Sequence, residues 1–131
     1  MIDIIYISYA KRDSNKTSGN LILFDEKESD IFCACSGGWG KGALPFGRYN
    51  IDRCYALRDN GKVEAYKREG LPWVAKLSPL FETDRSGLLI HPDGNIPGTR
   101  GCIGILQNDM ACFKTLCNML ENKPKLLLEV L

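Results

Sequence analysis

The 131-residue sequence has no apolar run approaching the roughly eighteen residues that cross a bilayer. It has no block of like charge. Seventeen Lys and Arg against sixteen Asp and Glu leave a formal net charge of +1, with the signs interspersed, so a basic footprint for nucleic acid is absent. Histidine occurs once, too few to supply the His pair of a structural zinc site. Internal repeats, low-complexity tracts and a visible domain boundary are also missing. What is there is ordinary globular usage: 44% hydrophobic and 25% charged residues exclude a disordered tail. Such a chain makes one domain, 1–131, and can bury roughly two-thirds of its unfolded surface in one core.

The start, MIDIIYISYAKRD, is not a secretory signal: Asp3 interrupts the apolar run, and there is no basic start or small-residue cleavage site. The initial Met argues against a signal already removed. We therefore expect synthesis in a bacterial or phage-infected cytoplasm, with any export by another route. The six cysteines are an even count, which invites a disulfide framework. That reading suits small secreted chains with weak cores. Cys33 and Cys35 share one face of a strand, and Cys112 and Cys117 stand at i, i+5 of a helix; neither pair bridges easily. Cys33, Cys35 and Cys54 lack the second C-x-x-C or His pair of structural zinc, so we read them as core residues and expect no metal.

Strands are expected at 2–9, 20–25, 31–35, 48–57, 73–77 and 87–91, with a polar loop at 11–18. A turn at Asp59-Asn60-Gly61 followed by 62–66 predicts a hairpin. Ser36 to Gly47, SGGWGKGALPFG, is a glycine-rich structured turn. Its GxGKG lacks the register and following helix of a phosphate-binding loop. Met110, Phe113, Cys117 and Leu120 repeat as one helix face, capped by Asn108 or Asp109 and stopped at Asn122 and Pro124. A last strand follows at 125–131, with Leu126, Leu128 and Val130 on one face. The fold class is mainly β with one principal helix near the C-terminus.

The informative stretch is Arg85–Ile105, RSGLLIHPDGNIPGTRGCIGI. A strand ends at His91. A turn-rich loop follows, then Thr99-Arg100-Gly101-Cys102 before an apolar stretch resumes. A cysteine at a tight glycine turn can expose its sulfur and aim backbone N–H groups, here of Gly101 and the Thr99 loop, at a developing oxyanion. A histidine folding back can stabilise the thiolate, and Arg100 beside it would lower the thiol pKa further. The duller reading is a coincidental His and a buried Cys, and His before Cys is the reverse of papain-like order. Trp39 lines a groove or packs in the core; Trp73 reads as core. Asp93 and Asn95 orient substrate or His91, or simply form the turn. Arg85 meets a substrate carboxylate or a structural acid.

Leu89-Ile90-His91 followed by Thr99-Arg100-Gly101-Cys102-Ile103 resembles the signature of the L,D-transpeptidase catalytic domain (YkuD-like) family. Gly37-Gly38-Trp39-Gly40-Lys41-Gly42 and then Pro45-Phe46-Gly47-Arg48-Tyr49 look like that family's Pro-x-Gly-x-Tyr strand entry. Arg85-Ser86-Gly87 looks most like a compact subgroup that includes antibacterial effectors exported by type VI secretion. The resemblance covers roughly residues 19–108. This chain departs from the common pattern at Arg100, where a second histidine usually stands, and in a shorter His-to-Cys loop.

The resemblance implies an L,D-transpeptidase-like β-sandwich or β-rich domain that acts on peptidoglycan stem peptides. Cys102 would be the nucleophile and His91 its partner. Gly101 and Thr99 would form the oxyanion loop, and Arg100, Arg85, Asn95 and Trp39 would contact substrate. Cys102 would attack the carbonyl before a D-residue to give a thioester, which an amine or water resolves. No cofactor is implied. The expected product classes are transpeptidation, D-amino-acid exchange and carboxypeptidase cleavage. The missing signal points to an exported monomeric antibacterial effector, acting in the periplasm or cell wall and countered by an immunity protein, or to a phage lysis enzyme. A non-catalytic peptidoglycan-binding module and a small zinc-bound interaction domain are the competing classes.

Overall fold

A computed structural model of the chain describes residues 1–13, 16–26, 28–38, 40, 42–94, 99 and 101–131. Among them are strands β1 (Ile4–Asp13), β2 (Lys16–Phe24), β3 (Ser29–Gly37), β4 (Gly47–Ala56), β5 (Trp73–Pro79), β6 (Leu89–Pro92), β7 (Ile103–Ile105) and β8 (Leu126–Val130), and one helix, α1 (Asp109–Asn122). The protein is mainly β with a single α-helix near the C-terminus, as the patterning indicated. The strands form one sheet closed on itself in the order β1-β2-β3-β7-β6-β5-β4-β8. Two neighbours are parallel, β1 with β8 and β6 with β7; the rest are antiparallel.

Alternation along the strands fills the barrel. Ile4 and Tyr6, Leu21 and Leu23, Phe32 and Ala34, Tyr49 and Ile51, Ile90, Ile103 and Ile105, and Leu126, Leu128 and Val130 all turn inward into one core. α1 joins that core through Cys112, Leu116 and Met119, and Phe113 stacks on the buried Trp73 at 5.3 Å. The expected face of Met110, Phe113 and Leu120 is the partly buried flank of this stripe. The helix is rotated by one position because both flanks are apolar, so periodicity alone does not centre the stripe.

Three local expectations are corrected. Within the polar stretch 11–18 the described residues are strand, not loop: β1 runs to Asp13 and β2 begins at Lys16, and the two pair antiparallel. Backbone pairing between β1 and β2, and of residues 16–18 with β3, carries these polar residues in the sheet. Residues after the Asp59-Asn60-Gly61 turn form a short 3-10 turn, Glu64–Tyr66, instead of a strand. Asn108 does not cap α1 with its side chain; it sits in the left-handed region at φ 56°. The Asp109 carboxylate instead accepts the Glu69 N–H at 3.3 Å, tying the helix start to the segment that leads into β5.

Candidate active site

The seam between β6 and β7 brings the histidine and cysteine segments together. Ile90 pairs with Ile103 and His91 with Gly104 in parallel register. Ile90 and Ile103 point into the core, so His91 and Cys102 project on the opposite, outer face. They are two ladder steps apart, roughly 8 Å between Cα atoms from strand spacing and rise. Gly104 opposite His91 leaves room for Asp93 and Thr99 at this seam: a Cβ there would stand 3.1 Å from both the Asp93 Cβ and the Thr99 Cγ2.

The Cys102 backbone is fixed by two buried hydroxyls. Ser36 Oγ, placed opposite Ile103 by the β3–β7 register, donates to the Cys102 carbonyl at 2.7 Å. Thr99 Oγ1 donates to the same oxygen at 2.7 Å. Each hydroxyl also accepts a backbone N–H: Ser36 from Leu44 at 2.8 Å, Thr99 from Gly37 at 2.9 Å. Gly101 just before the cysteine has φ 109°, a conformation open to glycine, and a Cβ there would collide with the Arg85 guanidinium. Arg85 Nη2 donates to the Gly42 carbonyl at 3.0 Å and the Ala43 carbonyl at 3.3 Å. It thus clamps the glycine-rich turn against the turn that carries the sulfur.

The sulfur lies between backbone groups of the segment that enters β6. Its thiol donates to the Gly87 carbonyl at 3.8 Å. Burial pushes the Cys102 thiol up; the Leu89 N–H and the Arg85 charge favour the thiolate but do not overcome burial. The expected depressed pKa is therefore corrected: the resting form is a thiol. Burial also holds the His91 imidazole below the ordinary histidine value, against the raising effects of the Pro92 carbonyl and the Asp93 charge. His91 is neutral at pH 7. Its Nδ1 is 2.7 Å from the Pro92 carbonyl, which only accepts, so Nδ1 carries the proton and Nε2 the lone pair. The ring stands edge-on to Tyr66 at 4.9 Å. No hydrogen bond joins it to the Cys102 sulfur in this structure.

The sequence-predicted residues thus divide. Cys102, His91, Gly101, Thr99 and Arg85 share this seam. Thr99 acts as a brace: its hydroxyl donates to Cys102, and it accepts the Gly101 N–H at 3.3 Å, so both groups are engaged within the loop. Arg100, Asn95 and Trp39 lie outside the described residues. Asp93 is buried and accepts the Cys35 thiol at 3.7 Å; burial foremost, and then the Asp93 charge, push that thiol up to about 12. Ser36 and the Leu89 N–H were missed. A serine at a strand end carries no signal until the register puts it opposite Ile103. The Pro-x-Gly-x-Tyr element closes on itself, since the Tyr49 hydroxyl donates to the Pro45 carbonyl at 2.7 Å.

Among the described residues no group of three His, Cys, Asp or Glu is placed to hold a metal ion, and no helix is long and apolar enough to cross a membrane. No family model, curated protein or solved structure matches the chain.

Proposed function

We propose that the protein is a cysteine acyltransferase of the L,D-transpeptidase type acting on peptidoglycan stem peptides. The observation that carries this reading is a cysteine just after a positive-φ glycine, its carbonyl fixed by two hydroxyls, beside a neutral histidine on the neighbouring strand. A neutral imidazole with a free Nε2 lone pair is suited to take the thiol proton as the sulfur attacks. The attack forms an S–C bond at the carbonyl preceding a D-residue while the S–H proton passes to the imidazole and the carbonyl π pair moves onto its oxygen. Collapse expels the D-amino acid, whose amine receives the proton from the imidazolium, and leaves a thioester. An amine of another stem peptide, a free D-amino acid or water then releases it. The same chemistry serves an exported antibacterial effector working in the periplasm, with an immunity protein as its counterpart, or a phage lysis enzyme.

The test is mass spectrometry of tetrapeptide-rich muropeptides incubated with the protein and with Cys102→Ala. Loss of terminal D-Ala, an exchange product or a crosslinked dimer, each absent with the variant, supports the reading and separates its three outcomes. Unaltered muropeptides with the unmodified protein overturn it. The gap between His91 and the sulfur favours one second reading, a stem-peptide-binding module on the same scaffold. Muropeptides bound but never converted would be its signature.

A further inference from the structure

Side chains on the outer face of a closed barrel ordinarily meet water. His91 does not. Alternation along β6 sends Ile90 into the core and His91 outward, yet His91 is only 5% exposed. Cover comes from the connection between β4 and β5, residues 57–72, whose ends are tied by the Leu57 N–H on the Pro72 carbonyl at 2.9 Å. This loop reaches past β5 to lie on β6, the next strand but one from β4. Its 3-10 turn sets the Tyr66 ring edge-to-face with the imidazole, with centroids 4.9 Å apart and planes at 84°. Two residues on, Arg68 Nη1 donates to the Asp93 carbonyl at 3.1 Å. Gly94 allows this close approach, since a Cβ there would collide with the Glu64 carbonyl and the Ala65 backbone. The loop is held away from β6 as well. Lys67 Nζ pairs with Asp59 at 2.6 Å, and the Glu69 N–H with the Asp109 carboxylate at 3.3 Å at the start of α1.

We propose that Tyr66 is a positioning residue for His91: its ring, fixed by the anchored loop, keeps the imidazole turned so that Nδ1–H stays on the Pro92 carbonyl and Nε2 keeps the lone pair. A histidine ring turns readily about its Cβ–Cγ bond, and a half-turn would take Nδ1 off its acceptor. An aromatic ring packed against the imidazole removes the space for that half-turn. It also keeps water away, which favours the uncharged form. The contact is ring to ring, so the Tyr66 hydroxyl is not needed for it. The charged and titratable groups around the imidazole are Asp93 on its own strand, Tyr66 and Arg68 from the loop, and Cys102 from the turn before β7, with Cys35 of β3 against Asp93. Removing the Tyr66 ring admits water and leaves those charges in place. Water and the Asp93 charge then both act to bring His91 up toward its ordinary value. The use of this hold, a base ready for Cys102, rests on the proposed activity; the hold itself does not.

The experiment is nuclear magnetic resonance on the isotope-labelled full chain, in which His91 is the one histidine and its ring signals are unambiguous. Long-range proton–nitrogen correlations give the tautomer, and a pH series gives the midpoint. The unchanged protein should show the Nδ1–H form alone, with a midpoint below the ordinary 6.5. Tyr66→Ala should add the Nε2–H form and move the midpoint up, and Tyr66→Phe should restore both. If Tyr66→Ala does not fold, Tyr66→Leu, which keeps bulk without the flat ring, is read in the same way. A lone Nδ1–H form with an unmoved midpoint in the Ala or Leu variant would overturn the proposal. So would a Tyr66→Phe that behaves like Tyr66→Ala. Kinetics on a tetrapeptide supply a second arm. Tyr66→Ala should lower kcat by roughly tenfold or more, with KM within about twofold, and Tyr66→Phe should recover it. A raised KM with kcat unchanged would make Tyr66 a substrate contact and overturn the positioning role. If the unmodified protein converts no muropeptide, the proposed activity falls while the resonance data still decide what Tyr66 does.

Discussion

The barrel closes through two parallel seams, and they are built from opposite materials. At the β1–β8 seam Ile4 pairs with Leu128 and Tyr6 with Val130, all buried. Its buried acid, Asp3, accepts Lys123 Nζ at 3.0 Å and the Leu127 N–H at 2.8 Å. At the β6–β7 seam a glycine faces His91, and a thiol, two hydroxyls and a carboxylate crowd the outer face. Topology is shared, so topology does not distinguish the seam proposed to be reactive from the other. The difference is that the first seam matches its acid to a cation and an amide. The second seam carries a thiol and an imidazole on neighbouring segments, each hydrogen-bonded to a backbone carbonyl and not to the other.

The largest expected contrast is between Cys102→Ala and Asp3→Ala. The first should lower turnover by about three orders of magnitude or more, with Tm nearly unchanged. The second should leave turnover within about twofold while costing about 1–3 kcal/mol, because the buried Leu127 N–H loses its acceptor. Kinetics on a tetrapeptide and thermal melts on the same samples decide it. Near-normal turnover in Cys102→Ala would erase the distinction between the seams.

Next come the hydroxyls that hold the Cys102 carbonyl. Ser36→Ala and Thr99→Val should each cost about 1–3 kcal/mol. The pair together should be non-additive, since they share one acceptor. A double-mutant cycle in urea measures this. Strict additivity would mean that the two hydroxyls act separately, and the brace would lose its meaning.

The histidine distinguishes the seams by pH. Its folded pKa is held below the ordinary value of 6.5 by burial. The neutral ring therefore contributes stability that is fully present above about pH 6.5 and is lost as pH falls through the folded value. His91→Gln should flatten the acid side of a stability–pH curve. Activity should share that acid limb, and Cys102 alkylation should titrate above the ordinary thiol value because burial raises it. An alkylation midpoint near neutrality would show that the thiolate is stabilised by something other than the Leu89 N–H and Arg85. The difference in slope on His91 replacement belongs to the β6–β7 seam alone.

Sequence patterning found the parts of this fold whose period is unambiguous. Leu126, Leu128 and Val130 alternate cleanly and do face the core. The Cys102 and His91 segments were legible as strand-end and glycine-turn chemistry, and the structure sets them on adjacent strands. Barrel closure was not legible, because it depends on which strands meet in parallel, and a period of two says nothing about partners. The strand pairing within 11–18 was hidden because its residues are polar and held by backbone pairing. Ser36 was hidden because its place opposite Ile103 depends on the long-range register of β3 with β7. The resting thiol was misjudged because burial, the dominant effect on Cys102, has no local sequence signature.

The smallest expected effect tests whether the β1–β8 seam really is inert. Lys123 is about half exposed, with side-chain exposure of 46% against 10% for Asp3, so solvent screens much of their attraction. Lys123→Met keeps the aliphatic length and removes the charge. Asp3 then retains the Leu127 N–H and gains water at the side the ammonium occupied. The expected loss is under about 1 kcal/mol, a few degrees of Tm at most, and it should shrink further in high salt because the pair is partly screened already. Turnover should not change. A larger loss that persists at high salt would mean that Lys123 contributes by packing its stem across the seam. A loss of turnover would mean that strain at one closure reaches the other, and the two seams would then be one coupled unit.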